Sequence, residues 1–368
     1  MDSRMNRVRI GVIGLGSIGI FHTRYFAEGK IPRATLTAVC DLNRKALRPF
    51  EPPVATFTDS RDLIRSGLVD AVLIATPQSL HADIGIDALK QGLHVLVEKP
   101  LARHIAEARR LFAAHKSRNQ VFAIMFNQRA DPRHRWIRDA IAAGSIGALQ
   151  RIHLVMTEWF RTNAYYVSAG WRGTWEGEGG GILMNQYAHH LDLLQWMCGM
   201  PKRVRAFCGI GKHHPIEVED EVTAYFEYKN GATGVFVGST GEAPGTNRFE
   251  IAGDLGRIVL EGGKLTLTRN AVSAARFRRT SREPMAKPAA RQTTIRSPRT
   301  AESHQVLTRN FVDAILDGAP LIAPAEEGLG SLELANAMIY SSFTGRTAEL
   351  PLNAGAYQSF LNRRIRAH

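Results

Sequence analysis

Short apolar runs alternate with amphipathic segments over the first third of this 368-residue chain. The apolar runs predict strands, and the segments whose apolar positions recur every three or four residues predict helices. The predicted strands cover residues 8–13, 36–40, 69–75, 94–97 and 121–126, and the predicted helices cover residues 20–27, 81–91 and 105–115. This alternation predicts a doubly wound parallel sheet that binds its ligand beyond the carboxyl ends of the strands.

The pattern changes after residue 126. From residue 203 onward, strand-like runs follow one another with turns such as Asn230-Gly231 between them, which predicts antiparallel sheet. The expected strands are 149–159, 203–208, 221–228, 233–239, 248–253, 257–260 and 264–269, and the expected helices are 132–143, 182–199, 303–316 and 326–344. Helices should cover one face of this sheet, and the other face could cover a partner subunit. Because one core stops growing near about 300 residues, we expect two domains, 1–126 and 127–368.

A glycine-rich sequence, GLGSIG, joins the first strand to the first helix. Its glycine spacing permits a tight turn, approach of the backbone to a pyrophosphate, and close packing of helix on strand. Asp41 ends the second strand, where it would accept hydrogen bonds from the adenosine ribose and repel a 2′-phosphate. NAD is therefore favoured over NADP, although Arg44 reduces that preference. The expected dinucleotide contacts here are Gly14, Gly16, Ser17, Ile18, Gly19, Asp41 and Arg44.

Further polar residues lie where later strands of this domain end. The expected cofactor contacts among them are Thr76, Pro77, His81, Glu98, Lys99 and Asn127. The Lys99 ammonium group, beside a nicotinamide, could orient a substrate hydroxyl and stabilise developing oxyanion character. The alternative is a surface lysine after a strand. Pro100 argues against that alternative because it stiffens the turn, and a cis peptide bond before Pro100 would be the means of stiffening.

The segment GEGGGILMNQYAHHLD places three polar residues within an apolar stretch. In the helix expected over 182–199, Asn185, His189 and Asp192 would lie on one side because their spacings are four and three. Polar groups in a buried helix are paired or line a site. A buried imidazole near a helix start suits general acid–base catalysis, and a satisfied core histidine is the alternative.

Aromatic and charged residues alternate with glycines just before this segment. They are Phe160, Arg161, Tyr165, Tyr166, Trp171, Arg172, Trp175 and Glu178. Aromatic faces with interspersed charges suit a sugar, which stacks its C–H face and hydrogen-bonds through its hydroxyls. The alternative is a set of core aromatics. We favour the binding interpretation, with substrate contacts from Arg161, Tyr165, Trp171 and Trp175, because the high glycine content indicates a loop.

Composition limits the remaining function classes. With 44% hydrophobic and 22% charged residues, the chain is typical of a globular protein, and no apolar run approaches the roughly 20 residues of a membrane helix. Much of the +13 formal charge lies in Arg4, Arg7, Arg9 and a basic stretch over 276–299. Because that stretch has few aromatics and no binding motif, we expect a solvated, partly flexible basic loop and no nucleic-acid partner.

The cysteines and paired histidines do not predict a metal site. Cys40, Cys198 and Cys208 lack ligand spacing, so we expect free thiols and a cytoplasmic protein. His213 and His214 occur in a turn without a carboxylate or cysteine at ligand spacing.

Three motifs together resemble the Gfo/Idh/MocA family of sugar and inositol dehydrogenases: GLGSIG followed by His22, the EKP turn, and the glycine run followed by H-x-x-D. The resemblance implies an N-terminal Rossmann domain and a C-terminal α+β domain with an open-faced, mostly antiparallel sheet. It also implies a homo-oligomer, a dimer or tetramer, formed through that sheet. Lys99 and His189 match the family residues beside the nicotinamide. Asn185 replaces a usual aspartate, and Tyr187 replaces a usual small residue near the substrate.

These features predict an NAD(H)-dependent oxidoreductase that transfers hydride between nicotinamide and a secondary alcohol of a sugar, sugar derivative or cyclitol. We expect His189 to take the hydroxyl proton, Lys99 to bind the same oxygen, and Asn185 to orient His189 or the substrate. Asp192 would pair with a donor or contact substrate. Three alternatives remain: an NAD-dependent glycosidase, a keto-sugar reductase, and a non-enzymatic dinucleotide-sensing protein.

Overall fold

The chain forms two compact units in a computed structural model, which describes residues 7–50, 52–296 and 303–367. The first unit comprises the described residues of 1–130, 176–179 and 301–332, and the second comprises those of 131–175, 180–300 and 333–368. A single boundary at residue 126 assigns 301–332 to the second domain, whereas here it belongs to the first unit. Arg4 and Arg299 of the basic segments lie outside the described residues.

The first unit contains a six-stranded parallel sheet. Its strands are β1 (Val8–Ile13), β2 (Ala34–Cys40), β3 (Ala55–Phe57), β4 (Ala71–Ile74), β5 (His94–Val97) and β6 (Phe122–Ile124). The order is β3-β2-β1-β4-β5-β6, with every pairing parallel. Because the order reverses between β1 and β4, their carboxyl ends flank the switch point at which such sheets bind ligands. The expected Rossmann-type fold is confirmed.

The second unit contains a nine-stranded sheet. Its strands are β7 (Leu149–Met156), β8 (Arg203–Ile210), β9 (Glu219–Glu227), β10 (Thr233–Ser239), β11 (Asn247–Gly253), β12 (Gly256–Glu261), β13 (Lys264–Asn270), β14 (Ala290–Ile295) and β15 (Ala348–Glu349). The order is β14-β13-β12-β11-β7-β10-β9-β8-β15. Only the pairing of β10 with β7 is parallel among those described, which confirms a mostly antiparallel sheet.

Helices connect and cover these strands. They are α1 (Ser17–Ala27), α2 (Arg44–Leu47), α3 (Ser60–Arg65), α4 (His81–Lys90), α5 (Ile105–Ala114), α6 (Pro132–Ala142), α7 (Asn163–Val167), α8 (Trp175–Glu178), α9 (Ala188–Cys198), α10 (Ala274–Thr280), α11 (Ser303–Asp317), α12 (Gly328–Thr344) and α13 (Ala354–Ala367). Short 3-10 helices occupy Gln78–Leu80, Asn127–Ala130 and Ala325–Glu327. None of the helices described is long and apolar enough to cross a membrane.

One face of the nine-stranded sheet is covered and the other is open. Along β9, Val222, Ala224 and Phe226 are buried, whereas Thr223 and Tyr225 between them are exposed. Successive side chains of a strand point to opposite faces, so the alternation separates a core face from an accessible one. The single covered face agrees with the sequence pattern.

The helix expected over 182–199 begins only at Ala188, so that prediction is wrong for its first six residues. Residues 182–187 form turns, and Asn185 therefore precedes α9 instead of sharing a helix side with His189. The backbone N–H of Tyr187 bonds to the Ile182 carbonyl five residues earlier. Because helical bonds span four residues, this longer bond interrupts the helical register.

The basic stretch is not a loop throughout, which corrects a second prediction. It contains α10 and the edge strand β14, which pairs antiparallel with β13 from Asn270↔Ala290 to Leu265↔Ile295. No residue of α10 is buried, and five of the six residues of β14 are exposed. The side chains are solvated as expected, but the backbone satisfies its hydrogen bonds by extending the sheet.

Candidate active site

The glycine loop after β1 has the geometry of a dinucleotide cradle. Gly14 has a φ of 93°, and a Cβ there would lie 2.7 Å from the Ala75 carbonyl. A Cβ at Gly19 would lie 1.8 Å from the Gly14 oxygen. Apart from its immediate neighbours along the chain, no atom of the described residues lies within 4 Å of a Cβ built at Gly16. Packing therefore requires Gly14 and Gly19, whereas Gly16 is explained by close approach of a pyrophosphate.

Helix α1 begins at Ser17, directly after this cradle. The N-cap residue, Gly16, has no side chain that could bond to the helix N–H groups, and the first turn of the helix carries no acidic side chain. The first N–H groups of a helix have no partner within the helix, and its dipole favours an anion there. The first-turn residues Ser17, Ile18 and Gly19 thus supply what a phosphate group binds.

Asp41 lies beside the loop at the end of β2. One carboxylate oxygen accepts a 2.7 Å hydrogen bond from the Leu15 N–H, and the other accepts one of 2.7 Å from the Asn43 N–H. These bonds fix the carboxylate and leave each oxygen with a further acceptor position for a ribose hydroxyl. Arg44 is exposed at the start of α2.

Two buried oxygens at strand ends have no hydrogen-bond partner within the described residues. They are the Thr76 hydroxyl, two residues after β4, and the side-chain oxygen of Asn127. The Asn127 amide nitrogen donates to the Ser303 hydroxyl at 2.7 Å. A buried polar group without a partner is costly, and a bound dinucleotide would satisfy both. With the cradle and Asp41, these oxygens make the residues present fit an NAD molecule.

The Glu98-Lys99-Pro100 turn follows β5. The Lys99–Pro100 peptide bond is cis, as the sequence indicated. The Glu98 side chain is buried and lies 2.7 Å from His22 Nε2, and it accepts a 3.2 Å bond from the Lys99 N–H. Burial opposes ionisation of Glu98, but the His22 hydrogen bond and the charges of His22, His304 and Lys99 outweigh it and lower the pKa. The turn is therefore held by an ionised, buried carboxylate.

His22 continues this network into the unit. Its Nδ1 is 2.7 Å from the Tyr25 hydroxyl, which is 2.8 Å from the Thr308 hydroxyl on α11. Sequence reasoning used His22 only as part of a motif and did not predict its contact with Glu98. The available signal was a histidine on the apolar helix α1, since a fully buried imidazole needs polar partners.

His81 contacts the loops that follow β4 and β5. Its ring nitrogens are 2.8 Å from the Pro100 carbonyl oxygen and 2.9 Å from the Thr76 carbonyl oxygen. Burial lowers the pKa of His81, and its side chain is only 1% exposed. The position indicates that His81 ties the two loops together. Its direct contact with the cofactor stays a prediction.

Glu107 anchors the chain that follows the Lys99 turn. Its carboxylate accepts bonds of 3.0 Å from the Arg103 N–H and 2.6 Å from the Arg103 guanidinium, and it lies 3.4 Å from His104 Nε2. Although burial opposes ionisation, the hydrogen bonds from His104 and Arg103 lower the pKa of Glu107 to about 2. This ion pair is largely buried, with 8% of the Glu107 side chain exposed.

In the second unit, Glu219 fixes the glycine run. One of its carboxylate oxygens accepts hydrogen bonds from the N–H groups of Gly181 (2.8 Å) and Leu183 (3.2 Å). The Glu219 carbonyl accepts a 3.0 Å bond from the Ile182 N–H, and a Cβ at Gly181 would lie 2.0 Å from that carbonyl oxygen. Sequence reasoning missed Glu219, which holds the turns containing Asn185.

Helix α9 carries the remaining polar residues of this segment. His189 is 9% exposed, and the Asp192 carboxylate, which is 1% exposed, accepts a 3.0 Å bond from the Gln195 amide. The His190 ring packs edge-on against Trp159, with the ring centroids 4.9 Å apart. Asp192 therefore has the neighbouring donor that the sequence interpretation gave it, while His190 has an aromatic environment.

Tyr165 is the centre of a polar cluster in the segment between β7 and α9. Its hydroxyl oxygen lies within hydrogen-bond distance of an Arg172 nitrogen, 3.1 Å from Gln186 Nε2 and 3.4 Å from Asn185 Nδ2. The Arg161 and Arg172 guanidinium groups both lie over its ring. The structure thus brings together three predicted substrate residues, Arg161, Tyr165 and Asn185. Trp171 lies beside them, its ring centroid 4.6 Å from the Arg172 guanidinium carbon.

Two other predicted substrate residues are fully buried. The Trp175 ring packs edge-on against Phe343 at 5.6 Å and Phe360 at 6.4 Å. The Tyr187 hydroxyl donates a 2.6 Å bond to the Ser239 carbonyl, and burial raises the Tyr187 pKa. Both rings are core residues in this arrangement, so their burial argues against the direct substrate contacts that the sequence suggested.

His213 and His214 contact carboxylates that sequence spacing did not reveal. His214 Nδ1 is 3.0 Å from Asp220, and His213 Nε2 is 2.9 Å from Glu221. The buried Asp220 carboxylate also accepts the backbone N–H groups of both histidines. Within the described residues, no group of three or more His, Cys, Asp or Glu side chains is placed to hold a metal ion.

Two family models match the chain. One, described as an oxidoreductase family with an NAD-binding Rossmann fold, matches residues 8–126. The other, described as a GFO/IDH/MocA C-terminal domain, matches residues 134–259. Together they cover about two thirds of the sequence, and they meet near the change in pattern after residue 126.

Similar proteins share this architecture. The chain is 34% identical to the inositol 2-dehydrogenase of Rubrobacter xylanophilus over 53% of its own length and about half (54%) of that protein. It is 29% identical to the levoglucosan dehydrogenase of Pseudarthrobacter phenanthrenivorans over 69% of this chain and 74% of that protein. The WlbA dehydrogenase from Bordetella pertussis, solved with NADH and UDP-GlcNAcA, is 26% identical over 94% of this chain and 100% of that chain, with a TM-score of 0.79.

Proposed function

Because this chain belongs to the Gfo/Idh/MocA family of NAD-binding oxidoreductases, we propose that it oxidises a secondary alcohol of a sugar, sugar derivative or cyclitol with NAD. The observation that carries the proposal lies within the first unit. The dinucleotide cradle follows β1, and Lys99 follows β5, which is separated from β1 only by β4. An ammonium group at this edge of the sheet is suited to bind the reacting oxygen beside a nicotinamide.

The proposal gives each residue one task. Bound NAD supplies the hydride acceptor. Lys99 donates a hydrogen bond to the substrate oxygen and stabilises its negative charge, and the ionised Glu98 holds the turn that presents it. His189 accepts the hydroxyl proton, and Asn185 orients His189 or the substrate. His189 is preferred to His190 because the His190 ring packs edge-on against Trp159.

NADH formation with a panel of inositols, aldoses, anhydrosugars and nitrophenyl glycosides tests this function. Removing a general base reduces turnover by roughly 100- to 10,000-fold, so His189→Ala should lose that factor in kcat while still binding NADH. His190→Ala is the matched control and should retain most of its turnover per folded molecule. Near-full turnover of His189→Ala would overturn the assignment. Release of nitrophenol without net NADH would indicate a glycosidase instead.

We also propose that the open face of the nine-stranded sheet forms a homo-oligomer, a dimer or tetramer. Phe207 on β8 is 62% exposed and Tyr225 on β9 is 42% exposed, and Val235 and Val237 on β10 extend the same face. An exposed apolar patch of this kind is typical of an interface. Light scattering should give a mass above 40.7 kDa, and Phe207→Asp should lower it. A monomeric native protein would contradict the proposal.

A cytoplasmic location is the remaining part of the proposal. Cys40, Cys198 and Cys208 are free thiols, and burial raises the pKa of each. Unpaired, unreactive thiols are usual in a reducing compartment. Cell fractionation with an antibody to the chain would test the location, and recovery in an extracellular fraction would contradict it.

A further inference from the structure

Two arginines of the segment between β7 and α9 have their guanidinium groups over the ring of the same tyrosine. The guanidinium carbon of Arg161 is 5.0 Å from the Tyr165 ring centroid, and that of Arg172 is 4.3 Å from it. The two cations are therefore no more than about 9.3 Å apart, the sum of those distances. Arginine remains charged at any pH at which the protein is folded, so two positive charges are concentrated at this place.

Among the side chains that the structure describes, no carboxylate pairs with either guanidinium group. Within the described residues, neither Arg161 nor Arg172 forms an ion pair, whereas Arg151 and Arg248 on the sheet both pair with Glu250. The Nε atoms of Arg161 and Arg172 are buried without a hydrogen-bond partner among those residues. Two neighbouring cations with unsatisfied, buried donors are unfavourable unless another group compensates them.

Three carboxylates from the segments around these arginines have other partners or are exposed. Glu242 accepts a 2.8 Å hydrogen bond from the Thr157 hydroxyl, and Glu217 accepts one of 3.2 Å from the backbone N–H of Trp175. Glu158 is exposed. The Tyr165 ring face attracts the guanidinium groups by about 0.5–2 kcal/mol each, but it carries no charge to neutralise them.

The arginine pair adjoins the residues assigned to the substrate. The Tyr165 hydroxyl oxygen is within hydrogen-bond distance of Arg172 Nη1 and 3.4 Å from Asn185 Nδ2. Asn185 precedes His189 by four residues. Arg161, Tyr165, Arg172 and Asn185 are each partly exposed, so a ligand can reach them from solvent.

We infer that the substrate is an anionic polyol, whose carboxylate or phosphate group binds Arg161 and Arg172. This inference rests on the proposed function and names the substrate class of its site. A neutral sugar could hydrogen-bond to the cluster but could not compensate its charge. The planar fork of each guanidinium matches the paired oxygens of a carboxylate or phosphate, and two such forks can bind one anionic group.

Matched substrates test the inference. We would compare kcat/KM for D-glucose, D-glucuronate and glucose 6-phosphate, and for myo-inositol and its monophosphate. The wild-type enzyme should prefer an anionic member of a pair by about 10- to 100-fold, the usual range for one or two charge-assisted bonds. Glucuronate and the phosphate esters distinguish a carboxylate from a phosphate group. Arg161→Gln and Arg172→Gln should each lower that preference, the ratio of the two kcat/KM values within a pair, about tenfold.

Arg138→Gln is the matched control. The Arg138 guanidinium also lies over an aromatic ring, 4.4 Å from the Trp196 ring centroid, in the same unit, so the variant removes the same charge and should keep the preference. Equal kcat/KM for neutral and anionic substrates in wild type, or a preference unchanged in both glutamine variants, would overturn the inference.

A binding measurement separates this inference from the proposed function. Calorimetry with the NADH-loaded protein would measure binding of D-glucuronate and of inorganic phosphate without any turnover. Binding that is lost in Arg161→Gln and Arg172→Gln but retained in Arg138→Gln supports the anion site even if no alcohol is oxidised. Absence of binding by either anion to the wild type, while neutral alcohols are oxidised, rejects the anion site and leaves the proposed function intact.

Discussion

The hydroxyl of Thr76 offers a direct test of the cofactor site. Its oxygen is buried two residues after β4 and has no hydrogen-bond partner among the described residues. Thr76→Val removes this hydroxyl and keeps the branched shape at Cβ. If the hydroxyl exists to bind NAD, the substitution should weaken cofactor binding without destabilising the cofactor-free protein.

The sizes of the two effects follow from the unpaired hydroxyl. An unsatisfied buried polar group costs about 1–3 kcal/mol, so Thr76→Val should leave the free energy of unfolding of the cofactor-free protein unchanged or raise it. A hydrogen bond to NAD contributes about 0.5–1.5 kcal/mol. Its loss should therefore weaken NADH binding by about 2-fold to 13-fold.

Fluorescence titration gives the NADH dissociation constant, and thermal unfolding without cofactor gives the stability change. Thr23→Val is the matched control because Thr23 is also buried, in α1, and its hydroxyl donates a 2.9 Å bond to the Ile20 carbonyl. That variant loses a bond made within the protein, so it should unfold at a lower temperature and bind NADH normally.

Two results would refute the reasoning. A clear drop in the unfolding temperature of Thr76→Val without cofactor would mean that the hydroxyl has a partner inside the protein. An unchanged NADH dissociation constant would mean that Thr76 does not contact the cofactor, even though its oxygen is buried at the switch point of the sheet.

Three other substitutions probe the cradle, the ion pair and the turn. Gly19→Ala should abolish NADH binding, because its Cβ would lie 1.8 Å from the Gly14 oxygen; near-normal binding in a titration would contradict this. Glu107→Gln should lower the free energy of unfolding at pH 7 by up to about 3 kcal/mol, since the pKa of Glu107 in the folded protein, about 2, lies below the usual 4.5. A carboxyl group whose pKa is lowered by folding stabilises the fold fully only at pH values above its pKa in the unfolded chain. The difference in the free energy of unfolding between wild type and Glu107→Gln should therefore shrink by about 1 kcal/mol between pH 7 and pH 4 in urea unfolding; a pH-independent difference would be inconsistent with this. Asn185→Asp should place a carboxylate before α9, raise the pKa that governs His189 in the pH–rate profile, and reduce any preference for anionic substrates; identical profiles would show that charge at this position is irrelevant.

The cofactor half of the site was predictable because its causes are local. Gly14, Gly16 and Gly19 are spaced for a turn between a strand and a helix, and Asp41 ends the next strand along the chain. Such spacing determines backbone geometry within a short segment, whatever the rest of the fold does. The pairing of Glu98 with His22 was not predictable, because it joins residues 76 positions apart.

The substrate half depended on distant partners. The apolar spacing over 182–199 fits a helix, but the Glu219 carboxylate, which lies more than 30 positions along the chain, binds the N–H groups of Gly181 and Leu183 and holds the segment as turns. Aromatic composition alone did not separate Trp175, buried against Phe343 and Phe360, from the accessible Tyr165. Burial of each ring depends on which distant residues pack against it.

The change at position 185 and the arginine pair have a common physical basis. Asn185 lies in a turn where its amide is 3.4 Å from the Tyr165 hydroxyl, which Arg172 also contacts. An aspartate, the residue that the family usually has here, would place a negative charge within reach of Arg172 and partly neutralise it. An asparagine leaves the charges of Arg161 and Arg172 available to a ligand. The asparagine is therefore consistent with the anionic substrate proposed above, in which the ligand itself supplies the negative charge.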